Sequence, residues 1–150
     1  MKIASSPVYL DASAVAKIYV SEPDSEALES ALVGRRDLVV SDLSVTEVTS
    51  AIARRVRERQ LSAAHAERVY RRIMRDVNAG EFHRTELTAA AHREAERLLM
   101  GVGRRVPLRA ADALHLALAA LAGSRVLITF DRLMTTAARA LGTFELPAGD

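Results

Sequence analysis

The sequence contains no cysteine. This absence excludes a disulfide-stabilised scaffold, a thiolate zinc site and a cysteine nucleophile. It also agrees with a reducing compartment, so we expect a cytoplasmic protein. The chain likewise has no P-loop, no G-x-G-x-x-G and no G-x-S-x-G. The common sequence signatures of nucleotide binding and of serine hydrolases are therefore missing.

Long apolar runs are absent as well. The amino-terminal stretch is interrupted by Pro7, Asp11 and Lys17 before it reaches the length of a signal-peptide core. The apolar run 110–122 contains Asp112 and His115 and is too short to cross a bilayer. We therefore expect a mature, soluble protein with no membrane partner.

Lysine is scarce: among 21 basic residues only Lys2 and Lys17 are lysines. The net charge of +2 does not by itself indicate a nucleic-acid-binding protein. The arginines, however, form two clusters, and the second has the spacing of one helix face. Such a stripe is either a solvated face or a surface that follows phosphates, and both interpretations stay open. The clusters are Arg54, Arg55, Arg57 and Arg59, and Arg68, Arg71, Arg72 and Arg75.

What the chain does contain is enough apolar material for one core. Its 150 residues are 49% hydrophobic, which predicts a single domain over 1–150. Short apolar runs at 8–10, 38–40 and 125–130 predict strands buried on both faces, with weaker candidates at 82–87 and 143–146. Helical patterns lie between them, and this alternation predicts an α/β fold with a mainly parallel sheet of four to five strands. The predicted helices cover 25–33, 43–59, 62–77, 88–100, 109–122 and 133–141.

Four acidic residues stand in apolar surroundings: Asp11, Glu47, Asp112 and Asp131. Burying a lone carboxylate is costly unless it is paired, hydrogen-bonded or bound to a metal. Asp11 and Asp131 directly follow predicted strands, and the carboxyl ends of parallel strands form the ligand crevice of such sheets. We therefore predict that the four carboxylates converge at one edge of the sheet.

Each acid also has a purely structural interpretation. Taken singly, those interpretations are the more common ones, but four independent coincidences are a poor explanation of the whole set. The structural alternatives are capping or first-turn roles for Asp11, Asp112 and Asp131, ion pairs of Asp112 with Arg109 and of Asp131 with Arg132, and a capping box of Glu47 with Ser44.

Converged carboxylates raise one another's pKa values, and a divalent cation relieves the repulsion. An all-oxygen site suits Mg²⁺ or Mn²⁺. A hard cation on such a cluster activates water and neutralises charge on an attacked phosphate, which together with the arginines favours a nuclease. Ser13 and Thr129, each two residues from a strand-end acid, are candidates to orient the carboxylates. The four histidines lack metal-ligand spacing, and we expect His115 to be packed or hydrogen-bonded rather than a ligand.

Each of the four acids lies in a longer sequence segment, and the order of the four segments along the chain is informative. Together these segments resemble the PIN-domain nucleases, and within them the VapC-type toxins of bacterial toxin–antitoxin pairs. The segments are VYLDASAVAKIYV with the following SEPDS, SDLSVTEVTSAIAR, LRAADALHLALAA and VLITFDRLMTTAARALG, which bring Asp11 with Ser13, Glu47, Asp112 and Asp131 respectively.

The resemblance implies a PIN-like, Rossmann-like sheet with helices on both faces and a Mg²⁺- or Mn²⁺-dependent endoribonuclease. Catalytic and metal-binding roles then fall to Asp11, Glu47 and Asp112, with Asp131 holding a second metal or orienting water. A metal-activated water would attack the RNA phosphodiester in line. The resemblance further implies a homodimer and a cognate antitoxin that blocks the site. The region 62–80 matches no functional motif and is expected to carry partner contacts.

Two other functions are compatible with parts of this pattern. Phosphoaspartyl chemistry with Asp11 as nucleophile would require a second acid, at position 13 in a haloacid-dehalogenase-type phosphatase or near the first strand end in a receiver domain. This chain has Ser13, and residues 1–10 contain no acid. The alternative of another class is a non-catalytic PIN-like module that binds RNA or a protein, and divalent-dependent cleavage would discriminate between them.

Overall fold

The computed structural model describes residues 1–148. The predicted domain of 1–150 therefore has its last two residues outside the described part. Over that range the chain forms four strands, β1 (Val8–Leu10), β2 (Leu38–Ser41), β3 (His83–Thr85) and β4 (Val126–Ile128). Its helices are α1 (Ala12–Tyr19), α2 (Ser25–Leu32), α3 (Asp42–Arg57), α4 (Ala63–Asn78), α5 (Ala89–Met100), α6 (Ala110–Leu121) and α7 (Arg132–Leu141), with a 3₁₀ turn at Val102–Arg104.

The four strands form one parallel sheet in the order β3-β2-β1-β4. The strands are short and entirely buried in β1, β2 and β4, which explains why their sequences are apolar without alternation. Because β1 lies between β2 and β4, the chain changes direction across the sheet at the β1–β4 pair. In open parallel sheets this point, at the carboxyl ends of the strands, is where a ligand crevice forms.

Helices cover both faces of the sheet, as the resemblance implied. Alternate strand residues point to opposite sides because the side-chain period of a strand is two. Val8 and Leu10 pack in the core beneath α1 to α4, whereas Tyr9 packs beneath α5 to α7. The single α/β domain with a parallel sheet is thus confirmed, with four strands at the lower end of the predicted number.

Most predicted element positions are confirmed to within a few residues, but the strand predicted at 143–146 is wrong. Only Glu145 pairs, in a single parallel bridge with Val126. Its amide donates to the carbonyl of Arg125 at 2.8 Å, and its carbonyl accepts from Leu127 at 3.0 Å. The next amide needed to extend this ladder belongs to Pro147, which has no N–H to donate, so pairing stops there.

Side-chain caps fix where several helices begin. Ser41, Ser62 and Thr88 each accept a hydrogen bond from the backbone amide three residues on, at the starts of α3, α4 and α5. These caps account for the positions at which the three helices begin. Within residues 1–148, no helix is long and apolar enough to span a membrane.

Candidate active site

The four predicted acids line one cleft of about 660 Å³. Asp11 follows β1, Glu47 lies on α3, Asp112 lies in the first turn of α6, and Asp131 precedes α7. The cleft lies at the carboxyl end of the β1–β4 pair, where the strand order predicts a crevice. The structure therefore brings together all four side chains that the sequence singled out.

Asp11 is the most buried of the strand-end acids, with 3% of its surface exposed. It caps α1 through a 2.9 Å hydrogen bond from the amide of Ala14. The hydroxyls of Ser13 and Thr129 each donate to its carboxylate at 2.6 Å. Ser13 thus orients the acid two residues away, as predicted, whereas Thr129 donates to Asp11 and only accepts from the backbone amide of Asp131. Burial raises the pKa of Asp11, and these three donors partly offset that rise. The capping role of Asp11 and its place in the cleft are thus compatible.

Arg109 links two of the acids. Its Nε and Nη2 donate to the two carboxylate oxygens of Asp112 at 2.8 and 3.0 Å, and Nη2 also reaches Asp131 Oδ2 at 2.7 Å. The predicted pairing of Asp112 with Arg109 is confirmed, whereas Asp131 pairs with Arg109 instead of Arg132. Hydrogen bonds to the two carboxylates raise the pKa of Arg109.

Asp131 also caps the last helix. Its Oδ1 accepts from the amides of Leu133 and Met134 at 2.8 and 3.0 Å. Burial acts to raise the pKa of Asp131, but the hydrogen bonds from Met134 and Arg109 outweigh it, so that the pKa lies below its usual range. Asp131 is therefore an anion held in place from both sides.

Glu47 is oriented by a chain of buried hydrogen bonds. Its Oε2 lies 2.6 Å from His115 Nε2, and His115 Nδ1 lies 2.8 Å from the Tyr9 hydroxyl, which in turn lies 2.7 Å from Ser41 Oγ. A carboxylate only accepts, so Nε2 carries the hydrogen that points to Glu47, and Nδ1 shares a hydrogen bond with the Tyr9 hydroxyl. The expectation that His115 is packed and hydrogen-bonded is confirmed.

The predicted capping box of Glu47 with Ser44 is wrong. Ser44 is itself the third residue of α3 and forms the box with Ser41, whose side chain accepts from the Ser44 amide at 3.0 Å. Glu47 lies one turn further along and faces the cleft, with 36% of its side chain exposed. The physical reason is that α3 begins earlier than the spacing of Ser44 and Glu47 suggested.

Sequence reasoning missed Tyr9 and the reach of Arg109 to Asp131. The one available signal for Tyr9 was a phenol within a strand buried on both faces, because such a hydroxyl needs a hydrogen-bond partner. Burial raises the pKa of Tyr9, so it is a neutral donor. For Arg109 the sequence indicated Asp112 at helical spacing, but no local pattern indicates a residue on another helix.

The two arginine clusters have different surroundings. Arg54, Arg55 and Arg57 of α3 line the same cleft as the acids. Arg55 pairs with Glu22, whereas Arg54 and Arg57 have no carboxylate partner among residues 1–148. The α3 arginines therefore provide positive charge directly beside the carboxylates.

The stripe on α4 lies outside the lining of this cleft. Arg71 pairs with Glu67, Arg75 contacts Asp76, and Arg72 lies over the ring of Tyr19. These contacts are those of a solvated face with local partners. They agree with the solvated-face interpretation, and the alternative of a surface that follows phosphates stays a prediction.

The donor set is the type that a hard divalent cation prefers, since all four cleft acids offer carboxylate oxygens. As the side chains stand, no three His, Asp or Glu side chains within residues 1–148 are close enough to one another to hold a metal ion. The reason is visible in their contacts: Asp112 and Asp131 face Arg109, and Glu47 faces His115. The residues fit the cation chemically, and rotation of exposed side chains would be needed to direct them to it.

The chain matches a known protein family over most of its length. The family model of the PIN domain matches residues 8–140. The chain belongs to the PIN-domain family. Ribonuclease VapC45 of Mycobacterium tuberculosis is 35% identical over 147 residues, which cover 94% of this chain and 95% of that protein. This PIN domain is therefore of the VapC ribonuclease type.

Solved structures share the PIN fold. VapC20 of Mycobacterium tuberculosis, described as a sarcin–ricin loop cleaving toxin, aligns with a TM-score of 0.67 and 14% identity over 87% of this chain and 94% of its own. VapBC2 of Rickettsia felis, bound to a DNA fragment from their promoter, aligns with a TM-score of 0.64 and 11% identity over 93% and 96%. Because these sequence identities are low, the two alignments show a shared fold only.

Proposed function

We propose that this PIN domain is a divalent-metal-dependent endoribonuclease and the toxin of a toxin–antitoxin pair. The observation that carries the proposal is the convergence of four carboxylates in one cleft of a VapC-type PIN fold. In this proposal Asp11, Glu47, Asp112 and Asp131 hold Mg²⁺ or Mn²⁺. The bound cation would supply Lewis-acid activation of water and neutralisation of phosphate charge.

The chain's own residues have distinct tasks in this reaction. Ser13 and Thr129 fix both oxygens of Asp11, so this carboxylate keeps one orientation. The His115 contact fixes Glu47 at the side of the cleft. Arg54 and Arg57, which lack carboxylate partners within the described chain, bind backbone phosphates of the RNA and hold it across the acids.

The proposed partners follow from the family. We expect a cognate antitoxin that covers the cleft, a homodimer, and action in the cytoplasm. The similarity in fold to VapBC2 supports the first of these, and the absence of cysteine agrees with the last. Light scattering of the purified protein, alone and with the product of a neighbouring reading frame, would measure both assemblies.

The test of catalysis compares Asp11→Asn with Glu26→Gln, which removes an exposed acid on α2 outside the cleft. We expect the wild type and Glu26→Gln to cleave a pool of structured RNAs that includes the sarcin–ricin loop. Cleavage should require Mn²⁺ or Mg²⁺ and stop with EDTA. Asp11→Asn should lose cleavage entirely while its circular dichroism spectrum stays unchanged.

Either of two results would contradict the proposal. Unchanged cleavage by Asp11→Asn would show that the cleft is not the active site. No cleavage by folded wild-type protein in any divalent metal, with RNA binding retained, would favour the alternative of a non-catalytic RNA-binding module.

A further inference from the structure

Arg109 donates hydrogen bonds to two of the four acids that line the cleft. It contacts both oxygens of Asp112 and Oδ2 of Asp131, within 2.7 to 3.0 Å. The remaining oxygen of Asp131 is taken by the amides at the start of α7. The guanidinium therefore supplies the positive charge that these two carboxylates require, and it does so from within the chain.

A divalent cation would need some of the same oxygen lone pairs. Two positive groups cannot share them at contact distance, because they would repel each other strongly in a partly buried cleft. The Asp112 side chain is only 6% exposed, so it has little freedom to turn away from one cation toward another.

Arg109 itself can move. Its side chain is 54% exposed, and the residue stands at the N-cap position of α6 without making a side-chain cap bond. Its departure into the cleft therefore breaks no helix cap. Nothing comparable holds for His115, which is 2% exposed beside Glu47.

We propose that Arg109 is an internal cation that competes with the divalent metal for Asp112 and Asp131, and so sets the metal affinity of the cleft. This inference rests on the proposed metal-dependent function. Arg109 has two opposite effects: it stabilises the metal-free fold by neutralising two acids, and it weakens metal binding by the same contacts.

The test measures Mn²⁺ binding directly, from the electron paramagnetic resonance signal of free Mn²⁺ in titrations of metal-free protein. Arg109→Gln is compared with Arg54→Gln, which removes the same charge from the same cleft without a carboxylate contact. We expect Arg109→Gln to bind Mn²⁺ about tenfold more tightly than wild type. Arg54→Gln should change the affinity by less than about threefold, because an exposed charge at a distance is screened.

Thermal unfolding in EDTA supplies a second readout. Arg109→Gln should unfold at a lower temperature than wild type, because Asp112 and Asp131 then repel each other without compensation, whereas Arg54→Gln should not. If Arg109→Gln does not fold, Arg109→Lys serves instead. Lysine keeps the charge but lacks the fork that spans two carboxylates, so an affinity gain of about threefold is expected.

The outcomes separate the two proposals. Equal Mn²⁺ affinities for the Arg109→Gln and Arg54→Gln variants would overturn the role of Arg109 and leave the metal-dependent nuclease intact. Absence of Mn²⁺ binding in both the wild type and Arg109→Gln would overturn the metal site itself, and the inference with it.

Discussion

At the scale of single residues, the Tyr9 hydroxyl helps to position Glu47 through His115, although Tyr9 itself is buried in a strand. It shares a hydrogen bond with His115 Nδ1, and the other ring nitrogen, Nε2, donates to Glu47. A second contact, to Ser41, ties this hydroxyl to the start of α3. The side chain of Glu47 is thus oriented by His115, which is itself held by a phenol on β1.

Replacing Tyr9 with phenylalanine tests this chain of contacts. Tyr9→Phe leaves the buried Nδ1 of His115 without its hydrogen-bond partner, so the free energy of unfolding should fall by about 1–2 kcal/mol. Cleavage should fall about tenfold rather than vanish, because Glu47 remains present but is less well oriented. Denaturant unfolding and single-turnover cleavage measure the two effects.

Tyr70→Phe is the matched control, since Tyr70 is 42% exposed on α4. It should change neither quantity. Full cleavage by Tyr9→Phe at a matched folded fraction would show that Glu47 needs no help from His115.

The residue scale also shows what sequence can and cannot predict. Asp11, Glu47, Asp112 and Asp131 stood out because a carboxylate among apolar neighbours needs a physical reason. The contact of Tyr9 with His115 did not, since the two are separated by 106 positions and meet only when the sheet and α6 pack together. Local periodicity records which face a residue is on, but not which distant side chain it meets.

At the scale of secondary structure elements, Asp42 fastens α3 to the edge of the sheet. It accepts from Arg84 Nε of β3 at 2.7 Å and from the amide of Leu87 at 3.1 Å. Burial acts to raise the pKa of Asp42, but these two hydrogen bonds outweigh it and lower the pKa. The folded state therefore prefers the charged carboxylate more than the unfolded chain does.

A lowered pKa means that Asp42 stabilises the fold at neutral pH and loses this effect in acid. Asp42→Ala should lower the free energy of unfolding by about 1 kcal/mol at pH 7, since water screens the partly exposed pair. The difference from wild type should shrink as the pH falls through and below 3.8, the ordinary pKa of the carboxyl. Urea unfolding across this pH range measures the difference.

Arg84→Gln and the double variant complete the comparison. The two single effects should be less than additive, because the residues share one contact. A cost of Asp42→Ala that stays constant from pH 7 to acid would show that its charge contributes nothing.

The positions of helices and strands were the most predictable feature of this fold. Parallel strands buried on both faces have continuous apolar sequences, and Ser41, Ser62 and Thr88 mark helix starts through their cap bonds. The exception, residues 143–146, had the composition of a strand. Its failure depends on Pro147, whose missing amide matters only once the neighbouring strand is known.

At the scale of the whole molecule, the cleft places buried negative charge where a fold built only for stability would have none. Burial raises the pKa of Asp11, so the folded protein holds the charged form of this carboxyl less readily than the unfolded chain does. Sites of this kind trade stability for function. Neutralising that charge, by substitution or by a bound cation, should therefore stabilise the whole domain.

Thermal unfolding of the wild type and Asp11→Asn tests this expectation. In EDTA, Asp11→Asn should unfold about 3 °C above wild type, because asparagine keeps the shape of the side chain without the buried charge. Saturating Mn²⁺ should raise the Tm of the wild type by about 5–10 °C and leave Asp11→Asn nearly unchanged. Equal shifts in both proteins would indicate metal binding elsewhere.

The position of β4 in the sheet affects when the cleft can assemble during synthesis of the chain. The hydrogen bond from Thr129 to Asp11 joins residues 118 positions apart, and β4 is the last strand to be synthesised. A nascent chain that has not passed β4 already contains Glu47 and Asp112, but it lacks Asp131 and one of the two strands that pair with β1. Such a chain therefore lacks one of the four carboxylates of the cleft and the Thr129 hydroxyl that holds Asp11. The cleft can therefore assemble only after β4 has been synthesised and has paired with β1.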